Sequence, residues 1–516
     1  MKPTTRLCVV AFGVAALTSV LLAQGSNDES VASRRLESGR LFVRQGNYTE
    51  AVKDFRAVAD TFPNTSVADD ALLEIARYYL DIAMNTAEAN TAIDALLKKY
   101  PSSDSVPEAT VIAGRLALAR SHQTTDLDAA IANFDRVTRV FPGSPAVPRS
   151  MQLTGEARWL GKKFEEALGH LVRVEADYST DPAASEAYLS SGRVQVSLGN
   201  PIGALEDFQQ VRNRWPNTPE AAIALARATL VHRLYVRAPA NPAFTLGADT
   251  VGPAKLENVN GLALTAGKTL FYSTDSVLGI VSGKADLPTM AVKPKGLTLD
   301  AAGNLVILDS GYVHPIATGS QPFMLPKDKG QQEPLRVETA VQLSNGEWLA
   351  SDGDAKAIYR FSKTFMYMNV FAANKVSKLA VNVMDEVAAI ENQGIVVFDS
   401  TGRILSRIPA KTTAYELKDM VDLAYDAFGH IYVLDKTDIA VFSPYAAPKP
   451  TGAAAAPAPA TPAAAAAAAS PWRLLTLFTE PDKSVTGFKK ATAFVVDEAG
   501  TVFLYDDQAK RVMVYR

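Results

Sequence analysis

Five histidines, one cysteine and scattered Asn and Asp side chains are the residues of this 516-residue chain whose types could carry metal, nucleophile or proton-transfer chemistry. None of His122, His170, His232, His314 and His430 falls into H-E-x-x-H or a comparable metal-ligand spacing. His430 occupies a hairpin turn and His170 a repeat helix, places where a histidine packs or is solvated more often than it ligates. No G-x-S-x-G elbow, Walker A loop or dinucleotide fingerprint occurs. Asp352-Gly353-Asp354 brings two carboxylates together in sequence, but a calcium loop needs more oxygen ligands at set spacing, so a turn is expected. The lone thiol, Cys8, lies in an N-terminal apolar run, which leaves the mature chain without a disulfide, a thiolate metal site or a cysteine nucleophile. No catalytic, cofactor-binding or metal residue is assigned, and no cofactor is expected.

That N-terminal run has Lys2 and Arg6 before it, extends from Leu7 to Leu22, and ends in Ala23-Gln24-Gly25. A basic start, a short apolar stretch and a small residue at its end describe a secretory signal over residues 1–23, cleaved after Ala23. Leu21 stands where a small residue is usual, so an uncleaved N-terminal anchor is the alternative. Cys8 comes too early for lipid attachment. The expected location is across the inner membrane, periplasmic or outer-membrane-associated, with membrane contact only by association or through that anchor. Net charge is −3 with both signs interspersed, which gives no footprint for nucleic acid.

The positioning elements come in two arrays. In the first half, QGNYTEAVKDFRAVADTFP (45–63) returns as LGNPIGALEDFQQVRNRWP (198–216). Aligning on Ala51, Ala89, Ala130, Ala167 and Ala204 puts large apolar residues at offsets 4, 7 and 11, followed by proline at four of five copies. These offsets form one helical stripe, the alanine admits a close neighbour, and proline ends the helix. Gly39, Gly155 and Gly192, at offset −12, mark where another helix passes close by, and Gly46 and Gly199 mark the turn. The proline spacing gives a period of 37–41 residues.

This pattern, over residues 32–236, resembles the tetratricopeptide repeat, a helix–turn–helix unit. Its linkers FPNTSVADDA, YPSSDSVPEA and WPNTPEAAIA resemble those of bacterial periplasmic proteins serving outer-membrane barrel assembly and the Tol–Pal system. Residues 219–236 read as a closing helix over the last repeat. The resemblance implies a concave face lined by the first helix of each pair, where Arg40, Trp159 and Arg193 are the candidate protein-binding residues.

After residue 240 the period changes. GLTLDAAGNLVILD (296–309), DLAYDAFGHIYVLD (422–435) and AFVVDEAGTVFLYD (493–506) each pair two apolar runs about an Asp-x-x-Gly turn and end in aspartate. With three weaker copies, first strands begin near Leu262, Leu297, Val341, Leu379, Leu423 and Phe494. Six multistranded copies imply a six-bladed β-propeller over 243–516, resembling the NHL-repeat group. Ring closure requires an outer strand for the last blade, expected from AFTLG at 243–247. Residues 446–471, rich in Ala and Pro, are expected to be an extended, solvated insertion in blade five. The prolines within 237–242 suggest a semi-rigid hinge.

The expected fold is thus multidomain α + β, an N-terminal α-solenoid of tetratricopeptide-like helix pairs and a C-terminal six-bladed β-propeller. The expected function is a non-enzymatic adaptor or scaffold of the cell envelope, binding protein or peptide partners through the solenoid groove and a propeller face. Two alternatives stand beside it. Some six-bladed propellers are metal-dependent lactonases, and Asn260, Asn382 and Asp422 lie near first strands where a channel could use them, though not at equivalent positions. The other is a self-assembling structural envelope protein.

Overall fold

The computed structural model describes residues 27–237, 246–284, 293–316, 322–330, 333–352, 356–445, 472–479 and 488–516. The signal segment 1–23 and its anchor alternative, the junction residues 238–242 and the insertion 446–471 lie outside the described residues. The chain divides into two compact units, one through Gly161 and one from Lys162.

The first unit holds helices α1 (27–44), α2 (Tyr48–Thr61), α3 (Ala68–Asp81), α4 (Thr86–Lys99), α5 (Val106–Arg120), α6 (Thr124–Val140) and α7 (Val147–Leu160). Each packs on the next along the series from α2, and α3 also meets α5. The stripe residues Ala51, Phe55, Val58, Ala89, Ile93 and Leu96 are all buried in one core. Burial of such a stripe, rather than helix propensity, is what holds helices of this length.

The second unit begins with α8 (Phe164–Asp177), α9 (Pro182–Ser197), α10 (Pro201–Arg214), α11 (Pro219–Val231) and a π-helical turn, His232–Arg237. Here too the stripe is buried, through Ala167, Leu171, Val174, Ala204, Phe208 and Val211. The helical array expected as one block over 32–236 is therefore shared between the units. The reason is a core that α9, α10 and α11 hold in common with Phe428, Tyr432, Phe488 and Phe494 of the β region. The closing helix α11 does cover α9 and α10, and its π-helical extension continues to the propeller.

Two local devices recur along the helices. A left-handed residue stands five before four of the five stripe alanines: Gly46 (φ 73°), Met84 (φ 51°), Lys162 (φ 60°) and Gly199 (φ 73°). Repeat two keeps the turn without the glycine. Repeat three instead starts α6 early, giving a 17-residue helix where α2 and α4 have 14. The second device is a first-helix glycine against which a stripe phenyl packs closely. An added Cβ would stand 2.4 Å from Phe55 at Gly39, 2.3 Å from Phe134 at Gly114 and 2.4 Å from Phe208 at Gly192. Gly114 does this in repeat three although it is not at offset −12, because that repeat's extra helical turn moves the contact.

The β region forms six antiparallel sheets. Blade one is β2 (Gly261–Leu264), β3 (Leu270–Ser273) and β4 (Leu278–Ser282). Blade two is β5 (Gly296–Leu299), β6 (Leu305–Asp309), β7 (Tyr312–Pro315) and β8 (Phe323–Met324). Blade three is β9 (Val337–Gln342), β10 (Trp348–Asp352), β11 (Ala357–Phe361) and β12 (Tyr367–Ala372). Blade four is β13 (Lys378–Val381), β14 (Val387–Glu391), β15 (Gly394–Phe398) and β16 (Ile404–Pro409). Blade five is β17 (Met420–Tyr425), β18 (Ile431–Asp435), β19 (Asp438–Ser443) and β20 (Arg473–Thr479). Blade six is β21 (Ala491–Val496), β22 (Val502–Asp506) and β23 (Arg511–Tyr515), completed by β1 (Leu246–Val251).

First strands β2, β5, β9, β13, β17 and β21 each contact the next, and β21 returns to β2, so the ring is closed. Closure is by β1 on β23, with Thr250 opposite Met513 and Val251 opposite Val512. The closing strand is thus Leu246–Val251, a few residues after the expected AFTLG, whose first three residues lie outside the described set. The insertion joins β19 to β20, antiparallel neighbours in blade five.

The Gly39 contact yields a test. Gly39→Ala should overpack Phe55 at a cost of about 1–3 kcal/mol and lower the melting temperature by several degrees, and Phe55→Leu in the same chain should recover part of it. A Gly39→Ala protein that melts like the parent would show that the phenyl does not seal this helix pair.

Candidate functional site

The acids that punctuate the β repeats have structural work. In the first-to-second strand turns one side-chain oxygen accepts two backbone N–H groups. Asp300 takes Ala302 (3.0 Å) and Asn304 (2.8 Å), and Asp497 takes Ala499 (2.9 Å) and Thr501 (2.7 Å). At the far end of the second strand, Asp435 accepts Lys418 N and Asp419 N, both at 2.7 Å, and Asp506 accepts Lys489 N (3.1 Å) and Lys490 N (3.0 Å). Glu391 does the same for Asn374 N at 3.0 Å. Each such acid pins the segment that enters its own blade. The aspartate closing each sequence copy is a clamp.

The three lactonase candidates do not converge. Asn260 lies before β2, its Oδ1 accepting from Ser273 (2.6 Å) and its Nδ2 donating to Pro294 O of the next blade (3.2 Å). Thr492 makes the equivalent link from blade six to Val259 O at 3.0 Å. Asp422, on β17, accepts Phe494 N of the next blade at 3.4 Å, as Thr339 accepts Leu379 N at 3.2 Å. Burial raises the Asp422 carboxyl above its ordinary value against the opposing pull of Lys378. Asn382 follows β13 at the opposite strand end and is a turn residue, accepting Met384 N (2.9 Å) and Glu386 N (3.0 Å). Two are inter-blade links and one is a turn. Among the described residues no group of three or more His, Cys, Asp or Glu is placed to hold a metal ion.

The solenoid candidates fall on first helices but in different settings. Arg40, on α1, pairs with Asp70 and Glu74 of α3, both at 3.2 Å, and with Glu37 at 3.5 Å. Trp159, on α7, is only 1% exposed, so it packs rather than faces an open groove. Arg193 is half-buried on α9. The Arg40 cluster continues as Arg77 to Glu74 (3.5 Å) and Glu108 of α5 (3.2 Å), and Arg115 of α5 pairs with Asp81 of α3. Charges of alternating sign thus run along α1, α3 and α5. Partly exposed pairs of this kind contribute only about 0–1 kcal/mol each, so their weight is in the charge pattern they display. Leu41 and Val43 of α1 are exposed.

A fully buried polar cluster lies on blade five, unforeseen from the sequence. His430 and Asp426 have fully buried side chains, with Nδ1 2.7 Å from the Asp426 carboxylate. Nε2 lies 2.7 Å from the hydroxyl of Tyr235, which the π-helical turn carries onto blade five. Burial holds the Tyr235 phenol well above its ordinary value, so it stays protonated and can donate. Alongside, Arg233 donates to Ala499 O (3.0 Å) and Gly500 O, and Arg227 pairs with Glu498 at 3.2 Å. Lys162 pairs with Glu386, and the Phe164 and Tyr445 rings meet edge to face at 6.0 Å. The signal in the sequence was His430 itself, directly after a turn glycine where the kindred copies have Asn304 and Thr501.

A second shifted group lies among the helices. Asp207 of α10 is pushed up to about 8, mainly by burial and then by the Glu175 and Glu206 charges. Glu175 of α8 is raised too, by burial against the hydrogen bond from Ser191. Two carboxyls that share a desolvated site between helices cannot both ionise without cost.

Residues 30–154 match the profile of a family described as "Outer membrane lipoprotein" (YfiO). The match covers α1 to most of α7 and none of the β region. The outer membrane protein assembly factor BamD of Haemophilus influenzae is 26% identical over 161 residues, 28% of this chain and 60% of that protein. The chain therefore spans 60% of that relative's length. Among solved structures, a gluconolactonase, XC5397 of Xanthomonas campestris, aligns with TM-score 0.35 at 12% identity, over 51% of this chain and 86% of that one. The tetratricopeptide protein TTC0263 of Thermus thermophilus aligns with TM-score 0.31 at 20% identity, over 39% and 99%. At these scores neither structural likeness assigns a function.

The Asp207 carboxyl predicts a pH dependence. Its folded value of about 8 lies above its ordinary 3.8, so the fold favours the protonated form. That contribution is complete below pH ~4 and is lost as pH rises through ~8. The melting temperature should fall between pH 5 and pH 8.5, and Asp207→Asn should flatten the fall and raise the value at pH 8. An identical pH slope in the variant would contradict the assignment.

Proposed function

We propose that the chain is a non-enzymatic, extracytoplasmic protein-binding adaptor of the cell envelope. Its helical array takes a protein or peptide, and the propeller presents a second face to another partner. The observation that carries this reading is the match of residues 30–154 to an outer membrane lipoprotein family, on the segment where α1, α3 and α5 display their alternating charges and exposed apolar side chains. The signal-like segment 1–23 is consistent with export. Among the described residues no helix is long and apolar enough to cross a membrane, so association with the outer membrane would run through a partner or the N-terminus. The lactonase alternative finds no support in the geometry, because Asn260, Asn382 and Asp422 are each engaged in backbone links within or between blades.

Site-specific photo-crosslinking in intact cells tests this. A crosslinker at exposed Leu41 of α1 should join the full chain to an outer-membrane or periplasmic protein, and charge reversal at Arg77 should weaken the adduct several-fold. Adducts only with cytoplasmic proteins, or none from either Leu41 or Glu37, would defeat the adaptor reading.

A further inference from the structure

A cleft of about 410 Å³ opens on the propeller face where the first strands begin. It spans blades two, three and four, and no aromatic side chain lines it, so it offers no wall for an apolar or stacked ligand. Lys295, Arg336 and Lys378 contribute three cations, one from each blade, against the two carboxylates Glu338 and Asp352, which leaves one net positive charge. Ser310 and Ser377 add hydroxyl groups.

Four lysines elsewhere on this face are held in ion pairs. Lys490 and Lys510 lie on Asp507 at 2.7 and 2.9 Å, Lys436 on Asp419 at 3.3 Å, and Lys255 on Glu257 at 2.8 Å. In the cleft the balance differs. Among the described residues Lys295 pairs only with a largely exposed Asp275, at 3.4 Å. Among the described residues no ion pair or hydrogen bond holds the Lys378 ammonium, although its charge is felt at buried Asp422. Lys378 also stands at the ring position where Thr339 and Asp422 of two other blades accept inter-blade hydrogen bonds and where Gly261, Gly296 and Ala493 stand in the rest, so it is the one charged amine at that position.

We propose that this cleft binds a carboxylate-bearing polar ligand, with Lys295 and Lys378 facing the carboxylate and the two serine hydroxyls donating to it. Charge-assisted bonds from ammonium groups suit a carboxylate. Glu338 and Asp352 set a limit on how much negative charge the cleft accepts, which disfavours polyphosphates. The assignment is independent of the partner proposed for the helical array. The carboxylate could belong to a free small acid or to an acidic polypeptide segment.

Calorimetric titration of the full chain at low ionic strength separates these sources, with succinate and triglutamate as the two probes. Saturable binding of succinate identifies the free acid, and saturable binding of triglutamate alone identifies the polypeptide segment. In either case Lys378→Gln and Lys295→Gln should each weaken binding about tenfold, while Lys510→Gln, in blade six, should leave it unchanged. Both cleft lysines are partly exposed, so these variants should melt like the parent. The proposal is overturned by no saturable binding of either probe, by binding that both cleft variants leave intact, or by an equal loss in Lys510→Gln.

Discussion

A buried imidazole must have both of its nitrogens satisfied, and the second unit is arranged around how His430 meets that demand. One nitrogen is held by Asp426, from the same turn, and the other by Tyr235, from the end of the helices. Leaving such a group unpaired costs about 1–3 kcal/mol, so the helices and blade five are tied at a position with no exposure to water. The wider turn of a π-helix departs from the α-helical progression, and in this segment Arg233 and Tyr235 both reach propeller groups. Around this polar centre the Phe208–Phe428 and Phe164–Tyr445 ring pairs add apolar contact. The last repeats and the propeller are consequently one compact body.

Both arrays are built by repeating a local solution and then letting single copies depart from it. The helices reuse a glycine under a phenyl ring and a left-handed turn, and Met84 and Lys162 adopt that turn without glycine. The blades reuse an acid that gathers two backbone N–H groups in the turn and another that pins the incoming segment. Departures are where particular properties arise. His430 replaces an ordinary turn residue and becomes the tie to the helices. Lys378 stands where other blades have a glycine, an alanine or a linking acceptor, and puts a positive charge at the cleft.

Period and spacing made both arrays readable in the sequence. The stripe at offsets 0, 4 and 7 is buried in every copy, and all six anticipated strand starts lie within β2, β5, β9, β13, β17 and β21. These features are local, so a single chain displays them. The site residues were less legible because their roles depend on contacts between distant segments. The offset of Trp159 predicts an open face, yet the side chain is 1% exposed. Asn260 and Asp422 look like channel ligands in the sequence, and only the register of adjacent blades shows them as inter-blade links. Tyr235 and His430 are 195 residues apart, and nothing in either segment names the other.

Hydrogen exchange on the full chain in rising denaturant measures the union of helices and propeller most directly. Amides in 219–237 and in 422–435 should lose protection in the same cooperative opening, with the same denaturant dependence. If the helical segment opened at lower denaturant while blade five kept its protection, the two would be separate bodies and the His430 tie would not join them.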